Sequence, residues 1–311
     1  MDDGVARKNP PSAASGALAC GPATRPPDHW LGRVLRPREL LDHARYASAV
    51  PDEALSPWVE RYWSVTWDLG PGERYRATTV SEPAINLTSE WGRLRRADTP
   101  GPGMWVTGPV TRTRFDVGLS GTGGVVGVKF RLGGTLAFAR ERPASIRDTT
   151  VPAAQWFPSI DEDLEVPQDL RSAAEVLDRW LLARAPVLTD GYSRVRRALA
   201  LMADPATTNL GRLAAGMAMS ERSLQRLFLD HCGVGVKRIL IRARVSDAVA
   251  ALDRGWDGPL GDLANELGWF DQSHFTTDFL RHTGCRPAEY AAASPRHAPQ
   301  SEVGRGEEVR P

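Results

Sequence analysis

The sequence predicts an α+β fold: a β-rich N-terminal barrel or sandwich, with a cupin-like barrel as one form, followed by an all-α domain with two helix–turn–helix units. Two observations carry this prediction. Short apolar runs, one with period two, fill residues 30–160, as expected for half-buried strands. The pattern of residues 213–233 then returns at 263–284, and such self-similarity indicates a repeated structural unit.

Length and composition describe an ordinary soluble protein. The 311 residues suffice for two domains with separate cores, and the net charge of +1 gives no sign of a nucleic-acid partner by itself. Three cysteines without a CxxC pair suit a reducing compartment. The sequence has no run of 18 apolar residues and no signal-peptide core. We therefore expect a cytoplasmic, nucleoid-associated protein that does not bind membranes.

Residues 29–160 are predicted to form the β-rich domain. Apolar residues fall on odd positions of one segment, with mostly polar residues between them: Val59, Trp63, Val65, Trp67 and Leu69. This alternation predicts a strand with one buried face. Four further apolar runs, separated by Gly, Pro or Asp clusters, predict more strands: 84–87, 104–107, 115–119 and 125–130. We interpret the Gly-rich segment 121–124 as a hairpin, because it lacks the features of a phosphate-binding loop.

Three segments flank or join the domains. Residues 1–28 and 294–311 have no hydrophobic period and are predicted to be disordered tails. Residues 161–190 hold an apolar stripe with helical period, from Leu170 to Leu181, and are interpreted as a linker helix. This helix could be a strut between the domains or a dimer seam, and the strut is the preferred interpretation.

Residues 191–293 are predicted to be helical throughout. The expected helices cover 191–203, 209–217, 220–231, 235–254, 260–267, 271–282 and 287–293. Asn209, Ser220 and Asp271 are suitable N-caps for three of them. The second copy of the repeat has one residue more than the first in its turn, since the offset grows from 50 to 51.

The helix predicted over 220–231 has two distinct faces. An apolar face holds Leu224, Leu227 and Phe228, at the spacing of one side of a helix. The opposite face, which follows the N-cap Ser220, holds Arg222, Gln225 and Arg226. Arginine bonds guanine in two places and glutamine bonds adenine in the same way, so these side chains suit base reading in the major groove. A solvated polar face is the plainer alternative, but the repeat favours base reading.

The second copy has a different outward face. Phe275 and Phe279 replace the apolar anchors, and the outward residues are Gln272, Ser273, Thr276 and Thr277. Asp278 stands where the first copy has an apolar residue, and a carboxylate near phosphate is unfavourable unless a cation holds it. We therefore expect the second unit to bind DNA less firmly than the first.

The charge distribution supports this asymmetry. Residues 194–244 hold ten Arg or Lys against three acidic residues, whereas residues 245–293 hold three against eight. Cations at the surface set the attraction to phosphate. The helix predicted over 235–254 would span about 30 Å, close to the roughly 34 Å of one DNA turn. This length suits two recognition helices in adjacent major grooves.

Residues 191–293 resemble the DNA-binding domain of the AraC/XylS family of bacterial transcription regulators. The resemblance rests on Leu213-Ala214, Ser220 to Phe228, Gly233, Arg242, Arg244, Leu263-Ala264, Gly268-Trp269-Phe270, Gln272 to Phe275, Phe279, Gly284, Pro287 and Tyr290. It implies that the two outward sets named above occupy base-contacting positions. Thr277 departs from the family, which commonly has arginine there.

The N-terminal part resembles an uncharacterised domain found on some AraC-type regulators. The matching segments are Trp58 to Trp63, Pro83 with Asn86-Leu87, and Gly127 to Gly134. This resemblance implies a sensor or dimerisation role, in a β-barrel like those of other AraC proteins. The sequence leaves both a monomer and a homodimer open.

The tryptophans of the first domain allow two interpretations. Seven of the ten lie between residues 30 and 156, where they either fill a small core or line a pocket for a planar or apolar effector. In the second case the candidate ligand-binding residues are Glu82, Asn86, Lys129 and Arg131.

No enzyme chemistry is predicted. The six histidines lack metal-ligand spacing, and no nucleophile or metalloprotease motif occurs. We therefore expect no catalytic residue, metal or cofactor.

The sequence thus predicts a regulator, activator or repressor, that binds double-stranded DNA and responds to a small molecule or partner at its first domain. The alternative is a protein-interaction module with a drifted second helix–turn–helix unit, which docks a protein such as RNA polymerase. Steep salt dependence would distinguish DNA binding.

Overall fold

A computed structural model of the chain describes residues 33–293, apart from residues 81, 97, 98, 112, 113, 140, 159, 161–163, 205, 206 and 208. The tails predicted at 1–28 and 294–311 lie outside the described residues. Within the described part, a β-rich region precedes a helical region, which confirms the predicted α+β fold.

The strands form one antiparallel sheet of seven. They are β1 (Arg45–Ala49), β2 (Val59–Asp68), β3 (Arg74–Val80), β4 (Asn86–Arg95), β5 (Gly103–Thr107), β6 (Arg114–Phe130) and β7 (Thr150–Pro152). The order is β1-β2-β6-β4-β5-β7, and β3 also pairs with β6. Strand β6 is therefore the centre of the sheet, with its first half beside β3 and its second half beside β2.

The hairpin predicted at 121–124 is wrong, because β6 runs through these glycines as one strand of 17 residues. Two glycines of this strand lie under tryptophan rings. A Cβ atom at Gly123 would lie 2.5 Å from the ring of Trp67, and one at Gly127 would lie 2.5 Å from the ring of Trp63. The glycines are thus required by rings on the neighbouring strand, not by a turn.

The helices that follow or flank the sheet are α1 (Pro37–His43), α2 (Ala153–Trp156), α3 (Leu170–Leu182), α4 (Asp190–Met202), α5 (Leu210–Gly216), α6 (Glu221–Cys232), α7 (Val236–Asp253), α8 (Leu260–Glu266), α9 (Gln272–Thr283) and α10 (Pro287–Ala293). From α4 onward, every predicted helix boundary is correct to within one residue. Side chains of the predicted N-caps Asn209, Ser220 and Asp271 accept backbone N–H bonds at 3.0, 3.1 and 2.8 Å. No helix of the described residues is long and apolar enough to cross a bilayer.

Strand β2 is covered on both faces, so the predicted single buried face is wrong. Trp67 is buried on the expected odd side, but Tyr62 and Ser64 on the even side are buried as well. Helix α3 supplies the second cover. The Tyr62 hydroxyl donates to Asp178 of α3 at 2.6 Å, and Leu177 and other residues of α3 share one apolar core with the sheet. Residues 170–182 therefore pack on the sheet along their length.

Two further cores hold the helical region, and the β-rich region takes part in both. Trp58 packs into the core of α4, α5, α6 and the start of α7. Leu35 and Val80 pack into the core of the rest of α7 with α8, α9 and α10. The β-rich region thus contacts both helical units.

Candidate nucleic-acid interface

Helices α5 and α6 form the first helix–turn–helix unit. Leu224 and Phe228 of α6 are fully buried, and Leu213 of α5 packs in the same core. The turn between the helices has four residues and includes Ala218 with a φ of 52°. Because one face of α6 is anchored in this way, its other face must point away from the core.

The three side chains predicted to read bases lie on that outward face. Arg222, Gln225 and Arg226 are all exposed, as is the N-cap Ser220. Leu229, one turn beyond Arg226, lies on the same stripe and is 43% exposed. The helical spacing predicted that Arg222, Gln225 and Arg226 share the outward face. It gave no reason to include the apolar Leu229 in that surface.

Helices α8 and α9 form the second unit, whose turn has five residues. Phe275 and Phe279 are fully buried anchors, and Gly268 in the turn has a φ of 82°, a conformation that glycine adopts without strain. Gln272 and Ser273 are exposed on the outward face. The extra residue predicted for this turn is therefore confirmed.

The two threonines of the second outward face are less available. Thr276 is only half-buried, while Thr277 is exposed but its hydroxyl donates to the backbone oxygen of Ser273 at 2.9 Å. This bond directs the Thr277 hydroxyl along its own helix. A base contact by that hydroxyl would have to compete with it.

Asp278 does not project freely from the second unit. Its side chain is 20% exposed and lies 4.0 Å from Arg281. The indole N–H of Trp269 donates to its other oxygen at 3.1 Å. The repulsion expected between this carboxylate and phosphate is therefore weakened, because an indole and a cation hold the charge.

Phe270 was not identified from the sequence as a functional residue. It belongs to the longer second turn, is 90% exposed, and lies edge-on to the ring of His274 at 6.5 Å. The His274 imidazole in turn bonds the N-cap Asp271 at 2.8 Å. The sequence feature that could have identified Phe270 is an apolar residue in a turn that has one residue more than the turn of the first unit.

Helix α7 joins the two units and determines their separation. Its 18 residues span about 27 Å. Val236 and Ile239 pack in the first core, whereas Val245 and Leu252 pack in the second. The helix therefore belongs to both units and holds them at a fixed distance.

Polar contacts tie the β-rich region to this helical frame. Glu82 accepts from Arg242 of α7 and from Lys129 of β6, both at 3.0 Å. Burial opposes ionisation of Glu82, but Arg242 and Lys129, with Arg33, outweigh it and hold the pKa well below its usual value. The bridge is thus charged at neutral pH.

Further contacts join the β-rich region to the two ends of the helical region. The Tyr192 hydroxyl of α4 donates to the backbone oxygen of Pro57 at 2.6 Å. The Tyr290 hydroxyl of α10 accepts from the backbone N–H of Arg36 at 3.2 Å and donates to Asp253 at 2.8 Å. The β-rich region is thus hydrogen-bonded beside each helix–turn–helix unit.

The sheet, with residues in and before α1, lines a partly open cavity of about 240 Å³ beside the Glu82 bridge. Three of the four predicted ligand residues line it: Glu82, Asn86 and Lys129. Arg131 is not among the lining residues, since it is exposed and its Nε donates to the backbone oxygen of Ser56 at 2.7 Å. The cavity and the bridge share Glu82 and Lys129, so the two features are contiguous.

Two helix–turn–helix units on one connecting helix place the helical region in the class of helix–turn–helix DNA-binding domains. Residues 213–293 match a family described as a helix-turn-helix domain, and residues 47–152 match a domain of unknown function, DUF6597. The chain thus carries an AraC-type helix–turn–helix domain behind a DUF6597 domain, as the two resemblances predicted. A comparison with curated proteins finds no match.

The chain is also similar to several solved structures. The C-terminal domain of AraT, a response regulator from Geobacillus stearothermophilus, is 21% identical over 36% of this chain and 93% of its own, with a TM-score of 0.32. The DNA-binding domain of AdpA in complex with a target DNA is 27% identical over 34% and 93%, with a TM-score of 0.29. An apo form of ToxT from Vibrio cholerae is 11% identical over 75% and 98%, with a TM-score of 0.39.

Proposed function

We propose that this protein binds specific duplex DNA through two recognition helices placed in adjacent major grooves. The observation that carries the proposal is the repeated geometry: buried anchors on one face of α6 and α9, and polar side chains on the opposite face of each. Recognition helices of this kind lie in the major groove with their N-terminal residues at the bases. A 27 Å connector between the two units suits grooves about one turn apart.

The two units have different roles in this proposal. Arg222, Gln225 and Arg226 of the first unit read bases, with the N-cap Ser220 at the same surface, and the surrounding cations anchor the protein on phosphate. The second unit adds weaker, short-range contacts through the candidates Gln272, Ser273, Thr276 and Thr277. The surplus of acidic residues in 245–293 limits its contribution.

Control of DNA binding comes from the β-rich domain, residues 29–160 in the predicted division of the chain. We propose that a small molecule in the cavity changes the way this domain packs on α7, since Glu82 belongs both to the cavity wall and to the bridge with Arg242. A shift of this bridge would reorient the two units relative to each other. A coupling free energy of about 1–3 kcal/mol is enough for such control.

A second candidate function is a protein-interaction module. The second unit is acidic and presents Phe270 with 90% of its surface exposed, which suits a partner protein such as RNA polymerase. In that case α9 would not enter a groove. Loss of partner binding without loss of DNA affinity in a Phe270→Ala variant would favour this candidate.

A mobility-shift assay on duplex DNA upstream of the protein's own gene tests the main proposal. Contact with about six phosphates lowers affinity roughly 10³-fold when salt rises from 50 to 200 mM. The Arg222→Ala/Arg226→Ala variant should lose at least about tenfold in specific affinity, because each good base contact contributes about 1–3 kcal/mol.

The matched control is Arg171→Ala/Arg179→Ala, which removes two exposed arginines from α3, on the sheet. This control should bind as the unaltered protein does. Equal binding by the two double variants, or affinity insensitive to salt, would contradict the proposal.

A further inference from the structure

The cavity in the sheet has apolar, aromatic walls. Its aromatic lining residues are Tyr46, Trp63, Trp67 and Phe115. The rings of these two tryptophans lie close against Gly123 and Gly127 of β6, which have no side chain to separate ring from strand. A dry apolar cavity of about 150 Å³ already accepts benzene, so about 240 Å³ holds a ring-sized body with substituents.

One polar part of the cavity wall is built from three neighbouring strands. Arg61 of β2 and Asn86 of β4 are the cross-strand partners of Lys129 in β6. All three side chains line the cavity, and Arg33 joins them from the segment before α1. Several cations therefore lie close together on one part of the cavity wall.

These cations outnumber the carboxylates that they contact. Glu60 is shared by Arg33 at 3.1 Å, by Lys129 at 3.6 Å and by Arg61. Glu82 is shared by Lys129 and Arg242. Four cations thus share two carboxylates.

A third acid faces the cluster from α7, because Asp247 interacts electrostatically with Arg242. When Asp247 is counted, the cluster still carries one net positive charge. Burial lowers the pKa of Lys129 despite Glu82 and Glu60, and Arg33 and Arg61 lower it further. The surplus charge therefore raises the cost of keeping this lysine protonated.

The other ion pair in the cavity does not offset this surplus. Glu90 and Arg96 lie 2.9 Å apart with side chains only 3% and 4% exposed, so each charge is matched within the pair. The two carboxylates that line the cavity, Glu82 and Glu90, are already paired with cations, so an entering cation would gain little attraction from them. An entering anion would find net attraction near Lys129.

We propose that the cavity binds a compact apolar molecule with a single anionic group of the carboxylate class. Its apolar body packs against Trp63 and Trp67, and its anion is held by Arg61 and Lys129. The proposal rests on the proposed function, since it names the chemical class of the effector. The bound anion competes with Glu82 for Lys129 and so acts on the Glu82–Arg242 bridge.

Ligand binding to the full-length protein tests this class directly. A panel of six-membered-ring carboxylates, beginning with benzoate and cyclohexanecarboxylate, is titrated beside the matching amides and amines. Quenching of tryptophan fluorescence and the shift in Tm report binding. We expect carboxylates to bind at least about tenfold more tightly than their amides, and the amines not to bind. Equal binding of acids and amides, or no binding across the panel, would overturn the proposal.

Substitutions of Lys129 and Arg61 test whether these two residues hold the anionic group of the ligand. Lys129→Met keeps the length of the side chain without its charge and should abolish the preference for acids over amides, as should Arg61→Met if the first variant does not fold. Lys237→Met, an exposed lysine on α7, is the matched control and should keep the preference. An unchanged preference in folded Lys129→Met and Arg61→Met would contradict the assigned site.

DNA binding without any ligand separates the two proposals. Specific, salt-sensitive binding with no acid preference in the cavity refutes only the ligand class. Failure of specific DNA binding with and without the panel refutes the proposed function, whatever the cavity binds.

Discussion

Replacing Glu82 by glutamine removes a carboxylate shared by Lys129 and Arg242 while keeping the size of the side chain. Removing one partner of a fully buried ion pair costs about 3–5 kcal/mol. The side chains here are 21%, 10% and 12% exposed, so solvent screens part of the interaction. We expect Glu82→Gln to lower the free energy of unfolding by about 2 kcal/mol, or roughly 4–8 °C in Tm.

The effect must depend on pH in one direction. The pKa of Glu82 is lower in the folded protein than in the unfolded chain, where it is about 4.3. The stabilisation is therefore complete above that value and is lost as the pH falls towards the folded pKa. The difference between Glu82→Gln and the unaltered protein should be full at pH 7 and shrink below about pH 4.3.

Urea unfolding followed by tryptophan fluorescence, at pH 7 and at pH 4, measures both quantities. Glu175→Gln is the matched control: this glutamate pairs with Arg171 at 3.9 Å, and both side chains are mostly exposed. Such a pair contributes little, so the control should unfold as the unaltered protein does. Equal stability of Glu82→Gln and the control at pH 7 would refute the role given to the bridge.

Three further predictions concern separate parts of the molecule. Phe270→Ala should weaken binding to specific DNA about fivefold, as expected when roughly 1 kcal/mol of apolar burial at the groove is lost; an unchanged Kd in mobility shifts would place Phe270 outside the DNA interface. Gly127→Ala should destabilise the fold by about 1–3 kcal/mol in urea unfolding, because the new Cβ would lie 2.5 Å from the Trp63 ring; Gly101→Ala, with open space around its Cβ, is the control. Burial, with help from nearby arginines, lowers the pKa of His282 to about 4. The unfolded chain therefore binds an extra proton between that value and about 6.5, so stability should fall as the pH drops through this range, and the slope should be reduced in His282→Gln.

The helical region could be predicted closely because its signals are local. The N-caps Asn209, Ser220 and Asp271 lie within one turn of the N–H groups that they accept. The anchors of α6 and α9 are likewise spaced by the helix period itself. Neither signal depends on a distant part of the chain, so the sequence was enough to locate these helices.

The sheet was harder to predict because its determinants are distant in sequence. The glycines of β6 fit the rings of Trp63 and Trp67, which lie some sixty residues earlier. Only the pairing of β2 with β6 shows that these glycines belong to a strand. The even face of β2 is buried by α3, more than a hundred residues later, so alternation along the strand could not reveal it.

The polar part of the cavity wall shows the same limit. Glu82 and Lys129 could be chosen as polar residues among apolar strands, and both line the cavity. Their partners Arg33, Glu60 and Arg242 come from three separate segments. The charge balance that defines the ligand class therefore appears only when the chain is folded.

The position of the β-rich region explains how one cavity could act on two recognition helices. Trp58 enters the first helical core and Val80 enters the second, while Glu82 holds α7 between them. Val80 and Glu82 lie at the end of β3 and just after it, so a movement at the cavity end of that strand is applied to α7 and to the second core together. Trp58 lies just before β2 and packs in the first core. In the proposed mechanism, a displacement that separates β2 from β3 turns the two units relative to each other, and the proposed binding in adjacent grooves depends on that angle.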